Sequence, residues 1–294
     1  MSPDVTTALE AWPEAGPAGA GWRWATLRLP SGLLARAALP EAPSRPPLLL
    51  VHGISGGAWY WEHYLRFFAE RGWPTYALEL RGRAGSRSVP ALGRVSLVDY
   101  VEDVRDMAAA LGQPAVIGHS MGGLLVQKAA EMDAFAAAVL LCSMPPKGIF
   151  FAQPGLVVRQ LRHLWTMLRA RPLVARAADL EFLTLHRVAD AERAALASRF
   201  GPDSGRVARE LSLGGLPVDP ARVRAPMLAV ATTEDRFFTP AVARRLAARY
   251  GIPLRVYEGH AHFVVMEPGW ERIAAELEEW LRENVGEQEL GTRN

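Results

Sequence analysis

The 294-residue sequence predicts an α/β fold: a mostly parallel central sheet, helices on both faces, and a helical cap inserted late in the chain. Three observations predict it. Short, wholly apolar runs alternate with segments whose apolar residues recur every three or four positions, as repeated β-α units require. The alternation breaks once, over residues 149–217, where helical spacing continues without a convincing strand. Half of the residues are hydrophobic, enough to bury a large core without disulfide or metal staples.

The elements follow in order. Residues 1–20, rich in Pro, Ala and Gly, read as a loose arm. WRWATLRL and LLARAAL, separated by Pro30-Ser31-Gly32, read as an antiparallel hairpin. PLLLV (47–51) is a buried strand ending at His52-Gly53. Trp61, Leu65 and Phe68 share one face of a helix that Gly72 stops. PTYALEL (74–80) is the next strand. Leu97, Val101, Val104, Ala108 and Leu111 then mark an amphipathic helix closed by Gly112. AVIG (115–118) runs into GHSMGG (118–123), and 124–132 reads as helix. AAAVLLC (136–142) and MLAVATT (227–233) are further buried strands. A helix over 240–250, the strand LRVYE (254–258) and a helix over 268–283 close the series. The core therefore comprises 21–148 and 218–285. The insertion, with Leu161, Leu164, Trp165 and Leu168 at helical spacing, reads as a helical cap or lid, with an ordinary helical subdomain that gates nothing as the alternative, and 286–294 reads as a polar tail.

Composition excludes several functions. The net charge is +2 and basic residues are spread along the chain, which argues against nucleic acid or an anionic membrane surface as partner. Ten arginines against six acidic residues over 153–217 read as solvated helix faces. No apolar run approaches the roughly 18 residues that span a bilayer. The start of the chain lacks the basic and apolar regions of a secretory leader, so a cytoplasmic protein without a transmembrane segment is expected. The single cysteine, Cys142, lies in FAAAVLLC and reads as a small buried hydrophobe. No His or carboxylate cluster has metal-ligand spacing, so neither metal nor organic cofactor is expected.

Chemistry enters at GHSMGG. A serine hydroxyl is a weak nucleophile that needs a base, an exposed position and a place for the developing oxyanion. A sharp strand-to-helix turn projects Oγ outward and sets helix N–H groups behind it. Such a turn crowds the positions two before and two after the serine, and Gly118 and Gly122 occupy both around Ser120. Of seven histidines, His63, His163 and His186 fall in helical segments, while His52 and His119 are bound into turns. His260 and His262, in EGHAHFVVMEP after the last strand, can swing over the end of the sheet. Glu234 and Asp235 in TTEDRFFTP offer the orienting carboxylate at the same edge. The loop after AAAVLLC, Ser-Met-Pro-Pro, offers none.

HGISGG (52–57), ELRGRAGS (79–86), GHSMGG (118–123), EDRFFTP (234–240) and GHAHFVVMEP (259–268) together resemble the α/β-hydrolase family, in its serine esterase and lipase branch, over Trp22 to Glu283. The resemblance implies Ser120 as nucleophile and Asp235 as acid. The family's last motif places a glutamate five residues after the histidine, so Glu267 implies His262 rather than His260 as base. The oxyanion hole implied is the pair of backbone N–H groups of Ile54 and Met121. Serine rather than aspartate at 120 implies acyl rather than alkyl transfer.

The reaction expected is hydrolysis of a small-molecule carboxylic ester through an acyl-enzyme. The same triad serves lactones, thioesters, amides and C–C bonds beside a carbonyl, and a non-catalytic small-molecule receptor is the reading from another class. Arg83 and Ala84 depart from the family's DLRGHGxS pattern, in a loop that shapes the substrate wall. Trp59, Met144, Phe150 and Trp165 are candidates for the apolar wall of a pocket between the sheet edge and the insertion.

Overall fold

In the computed structural model, residues 9–10, 19–83, 85–132, 135–151 and 153–285 are described. The tail expected over 286–294 and most of the arm expected over 1–20 lie outside them. The strands are β1 (Leu9–Glu10), β2 (Trp22–Arg28), β3 (Leu34–Pro40), β4 (Leu48–Val51), β5 (Thr75–Glu79), β6 (Ala115–His119) and β7 (Ala138–Leu141). A short pair, β8 (Pro172–Leu173) and β9 (Asp203–Ser204), precedes β10 (Met227–Thr232) and β11 (Leu254–Tyr257). Nine of these form one sheet in the order β1-β2-β3-β5-β4-β6-β7-β10-β11. The pairings from β1 through β5 are antiparallel, and those from β5 to β11 are parallel.

The parallel centre explains the unbroken apolar runs. β4, β6, β7 and β10 are buried at every residue because helices cover both faces. The helices are α1 (Glu62–Ala69), α2 (Leu97–Leu111), α3 (Met121–Met132), α4 (Pro154–Leu161), α5 (Leu164–Leu168), α6 (Ala177–Leu183), α7 (Asp190–Arg199), α8 (Gly205–Ser212), α9 (Pro240–Tyr250) and α10 (Trp270–Asn284). Tyr64, Phe68 and Leu277 of α1 and α10 fill the core on one face. Val101, Leu125 and Val242 of α2, α3 and α9 fill the other. Local signals set the ends of α2. Ser96 and Asp99 form a reciprocal capping box, and Gly112 leaves the helix at φ 68°, where a side chain would be strained.

Helices α4 to α8 lie between β7 and β10 in the chain. Among them β8 and β9 pair antiparallel, Leu173 opposite Asp203. Sequence reading assigns no strand here, because two-residue strands are too short to show a period. This small ladder matters for the site, since it carries Asp203.

Candidate active site

Strand β6 ends at His119 and α3 begins at Met121, so Ser120 alone makes the turn, at φ 57°. Such a left-handed conformation disfavours an L-residue by about 1–2 kcal/mol, and neighbouring bonds hold it. Ser120 N–H donates to Leu141 O at 3.1 Å, and Ser120 O accepts from Gly123 and Met144 N–H, both at 3.0 Å. A Cβ at position 118 would lie 2.6 Å from Gly122 O, and one at 122 would lie 2.3 Å from Val51 O. Both glycines are there because backbone fills the space a side chain would need.

The loops after β10 and β11 meet this turn. His262 Nε2 lies 2.9 Å from Ser120 Oγ, and Nδ1 lies 2.8 Å from Asp235 Oδ2. The second oxygen of Asp235 accepts from the N–H groups of Phe237 and Phe238, at 2.7 and 3.0 Å. A carboxylate beside Nδ1 keeps the proton on that nitrogen, which leaves Nε2 free to accept from the serine hydroxyl. Ser120, His262 and Asp235 are all buried. The rival residues are turned elsewhere. His260 stands 3.4 Å from Glu267, and Glu234 stands 3.6 Å from Arg187. Glu267 accepts from Ala261 N–H at 2.8 Å, and burial pushes its carboxyl up to about 7.

The loop after β4 lies over the serine: a Cβ at Gly53 would come 3.0 Å from Ser120 Cβ. Gly53 O accepts from His52 Nδ1 at 2.8 Å, and Gly53 N–H donates to the Tyr60 hydroxyl. Tyr60 Oη lies 3.2 Å from His119 Nδ1, and His119 Nε2 lies 2.8 Å from His262 O. A carbonyl only accepts, so His119 carries its proton on Nε2 and receives the Tyr60 O–H at Nδ1. Burial, reinforced by the neighbouring His262, holds His119 well below the usual imidazole range; burial likewise takes His52 to about 3. An uncharged chain of hydrogen bonds thus joins the Gly53 main chain to the main chain of His262. Among the described residues, neither Ile54 N–H nor Met121 N–H has a protein acceptor, and both residues border the cavity with Ser120.

Ser55, one residue on, is itself left-handed at φ 59°. The segment between β7 and β10 fixes it from both sides. Ser55 N–H donates to Asp203 Oδ2 at 2.6 Å, and Ser55 O accepts from Gly201 N–H at 3.0 Å. Asp203 is fully buried, pairs with the Arg83 guanidinium, and accepts from Tyr100 Oη at 2.8 Å. Sequence reading missed both Asp203 and Tyr60. Arg83 was the signal available for Asp203, since an arginine that replaces the expected histidine in a buried loop requires a carboxylate.

A cavity of about 190 Å³ opens over Ser120 beneath the insertion. Its wall is mostly apolar, with Met144, Met167, Leu183 and Phe237, while Arg159 and Gln160 supply polar groups. Of the four wall residues expected, only Met144 borders it; Trp59, Phe150 and Trp165 require correction. Trp59 packs one layer behind, edge-on to Phe200 at 5.2 Å with the Arg199 guanidinium 4.5 Å over its ring. Phe150 is 77% exposed. Trp165 is 71% exposed, because His163 and Met167 on either side of it take the inward phase of the helix.

Sequence and structure comparisons agree with this architecture. The profile of the alpha/beta hydrolase family matches residues 48–276. A putative chloroplastic methylesterase of Arabidopsis thaliana is 34% identical over 87 residues, 29% of this chain and 22% of its own length. The esterase PIR7B of Oryza sativa is 34% identical over 116 residues, 36% of this chain and 41% of its own. The chain thus spans less than half the length of the curated relatives it matches. A monoacylglycerol lipase from Paleococcus ferrophilus superimposes with TM-score 0.63 at 21% identity, over 83% of this chain and 96% of that one. With its family match over most of its length and a parallel sheet turning into a serine elbow, the chain belongs to the alpha/beta hydrolase family.

Proposed function

We propose that the protein hydrolyses carboxylic esters through an acyl-enzyme on Ser120. The observation that carries this reading is the hydrogen-bonded run from Ser120 through His262 to Asp235, at 2.9 and 2.8 Å, beside two N–H groups without acceptors among the described residues. Ser120 Oγ attacks the ester carbonyl while His262 Nε2 takes its proton, and Asp235 stabilises the imidazolium that forms. The N–H groups of Ile54 and Met121 receive the tetrahedral oxyanion, each worth roughly 3 kcal/mol at the transition state. His262 then gives its proton to the leaving alcohol. Water, activated by the same imidazole, attacks the acyl group and restores the serine. A mostly apolar cavity suits a neutral ester with an apolar acyl or alcohol part. The esterase and methylesterase names of the matched relatives agree with this chemistry.

Labelling by a fluorophosphonate followed by peptide mass spectrometry tests the nucleophile, with p-nitrophenyl esters as reporters. The label is expected on Ser120, and Ser120→Ala is expected to lower kcat by about 10⁴–10⁶. Label on another residue, or undiminished turnover in Ser120→Ala, would overturn the proposal.

A further inference from the structure

The segment from α4 to α5 has a mixed inner side and an apolar outer one. Leu156, Gln160, His163 and Met167 turn inward and line the cavity. The complementary phase, Val157, Val158, Leu161, Leu164, Trp165 and Leu168, is exposed, with Leu161 60% and Val158 56% accessible. A surface helix of a globular domain keeps that outer stripe polar, and a clustered apolar patch marks an interaction surface.

Charge identifies what the patch meets. Between positions 147 and 178 the chain has Lys147, Arg159, Arg162, Arg169, Arg171 and Arg176, and no acidic residue at all. Arg162, Arg169 and Arg171 are exposed away from the cavity, whereas Arg159 and Arg176 border it. Arg159 and Arg162 approach the buried carboxylate of Asp179 at 3.0 and 3.6 Å. Arg169 lies 5.6 Å from the Trp165 ring centroid, so indole and guanidinium share the outer edge. Aliphatic side chains and a tryptophan flanked by arginines match an anionic lipid surface, where the apolar groups enter the acyl boundary and the cations meet headgroups. A second copy of the chain would bring the same cations to the same face and be repelled. The near-neutral whole-chain charge hides this local concentration, which is why the composition alone argues against a membrane surface.

We propose that the outer face of α4–α5 docks the protein on an anionic lipid bilayer, leaving the cavity one helix diameter, about 10–12 Å, from the lipid. The proposal concerns binding and stands whether or not Ser120 turns over esters. Ser120→Ala protein, which leaves the lipids intact, is floated with vesicles of phosphatidylcholine alone or with roughly 30% phosphatidylglycerol. Binding is expected to the anionic vesicles and to weaken with salt. The double variants Leu161→Ser/Trp165→Ser and Arg162→Gln/Arg169→Gln, all at exposed positions, are each expected to lower it on the order of tenfold. Equal flotation with both vesicle types, absence of flotation, or unchanged binding by both double variants would overturn the proposal. So would a dimer by light scattering that becomes a monomer in Leu161→Ser/Trp165→Ser, since a second copy would then cover the face.

Discussion

At the scale of single residues, Asp203 connects the segment between β7 and β10 to the loop over Ser120. Its carboxylate holds the N–H of Ser55, the residue after Ile54, and its charge is balanced by Arg83 in a buried pair. Ile54 is therefore held between Gly53, fixed by His52 and Tyr60, and Ser55, fixed by Asp203. Replacing Asp203 by Asn loosens one side of that clamp and takes from buried Arg83 the carboxylate it pairs with, a loss of up to about 3–5 kcal/mol in comparable pairs. With the esterase reading above, kcat of Asp203→Asn is expected to fall roughly ten- to a hundredfold, with KM little changed, because an oxyanion donor acts mainly in the transition state. The double variant Asp203→Asn/Arg83→Met removes the orphaned charge. It should recover much of the melting temperature without recovering kcat. Recovery of both together would mean that Asp203 only stabilises the fold. The pair joins positions 120 apart, so Arg83 signals the need for a carboxylate but no local pattern says that Asp203 supplies it.

At the scale of elements, the elbow shows how backbone packing places a reactive atom. Strand β4, through Val51 O, approaches α3 so closely at Gly122 that a methyl group would meet a carbonyl oxygen rather than a movable side chain. Gly122→Ala must push α3 away from β4 and move Ser120 with it. It is expected to lose stability toward the upper end of the about 1–3 kcal/mol typical of overpacking and, on the esterase reading proposed above, most ester turnover. Gly112→Ala is the control: φ is 68° but the space around it is open, so melting should fall while activity persists. Loss of activity in both, or in neither, would contradict this account. The same elements show what was legible. Ser120, His262 and Asp235 each follow a strand of the parallel sheet, and strand order puts such loops at one edge, so their meeting could be read from the chain. Trp165 could not be placed that way. Helical spacing tells which residues share a face, but on α4–α5 the apolar face is the exposed one and the mixed face turns inward, so the period misleads.

For the whole molecule, buried ionisable groups set opposing pH responses. Burial takes His52 to about 3, below its unfolded value near 6.5. The folded state thus binds fewer protons there, and the stability this contributes is present above about pH 6.5 and lost as pH falls toward 3. Glu79 and Glu267 act the other way. Burial lifts both carboxyls from 4.5 to about 7, so the stability they contribute is present below about pH 4.5 and lost as pH rises through 7. His119, also lowered by burial, adds to the response of His52, so between these limits two rising and two falling contributions offset one another, which favours a flat stability profile in mildly acidic solution. Glu79 can be separated from the rest. It lies beneath the Gly57 turn and is 5% exposed, with Arg36 and Arg83 only partly offsetting its burial. Glutamine keeps the shape and the acceptor oxygen but cannot ionise. Glu79→Gln is therefore expected to melt level with the parent at pH 5 and a few degrees above it at pH 8, as removal of about 1–3 kcal/mol of buried-charge penalty would give. Calorimetric melts of the two proteins at both pH values measure the difference directly. A gap of the same size at pH 5 and pH 8 would show that Glu79 does not titrate between them.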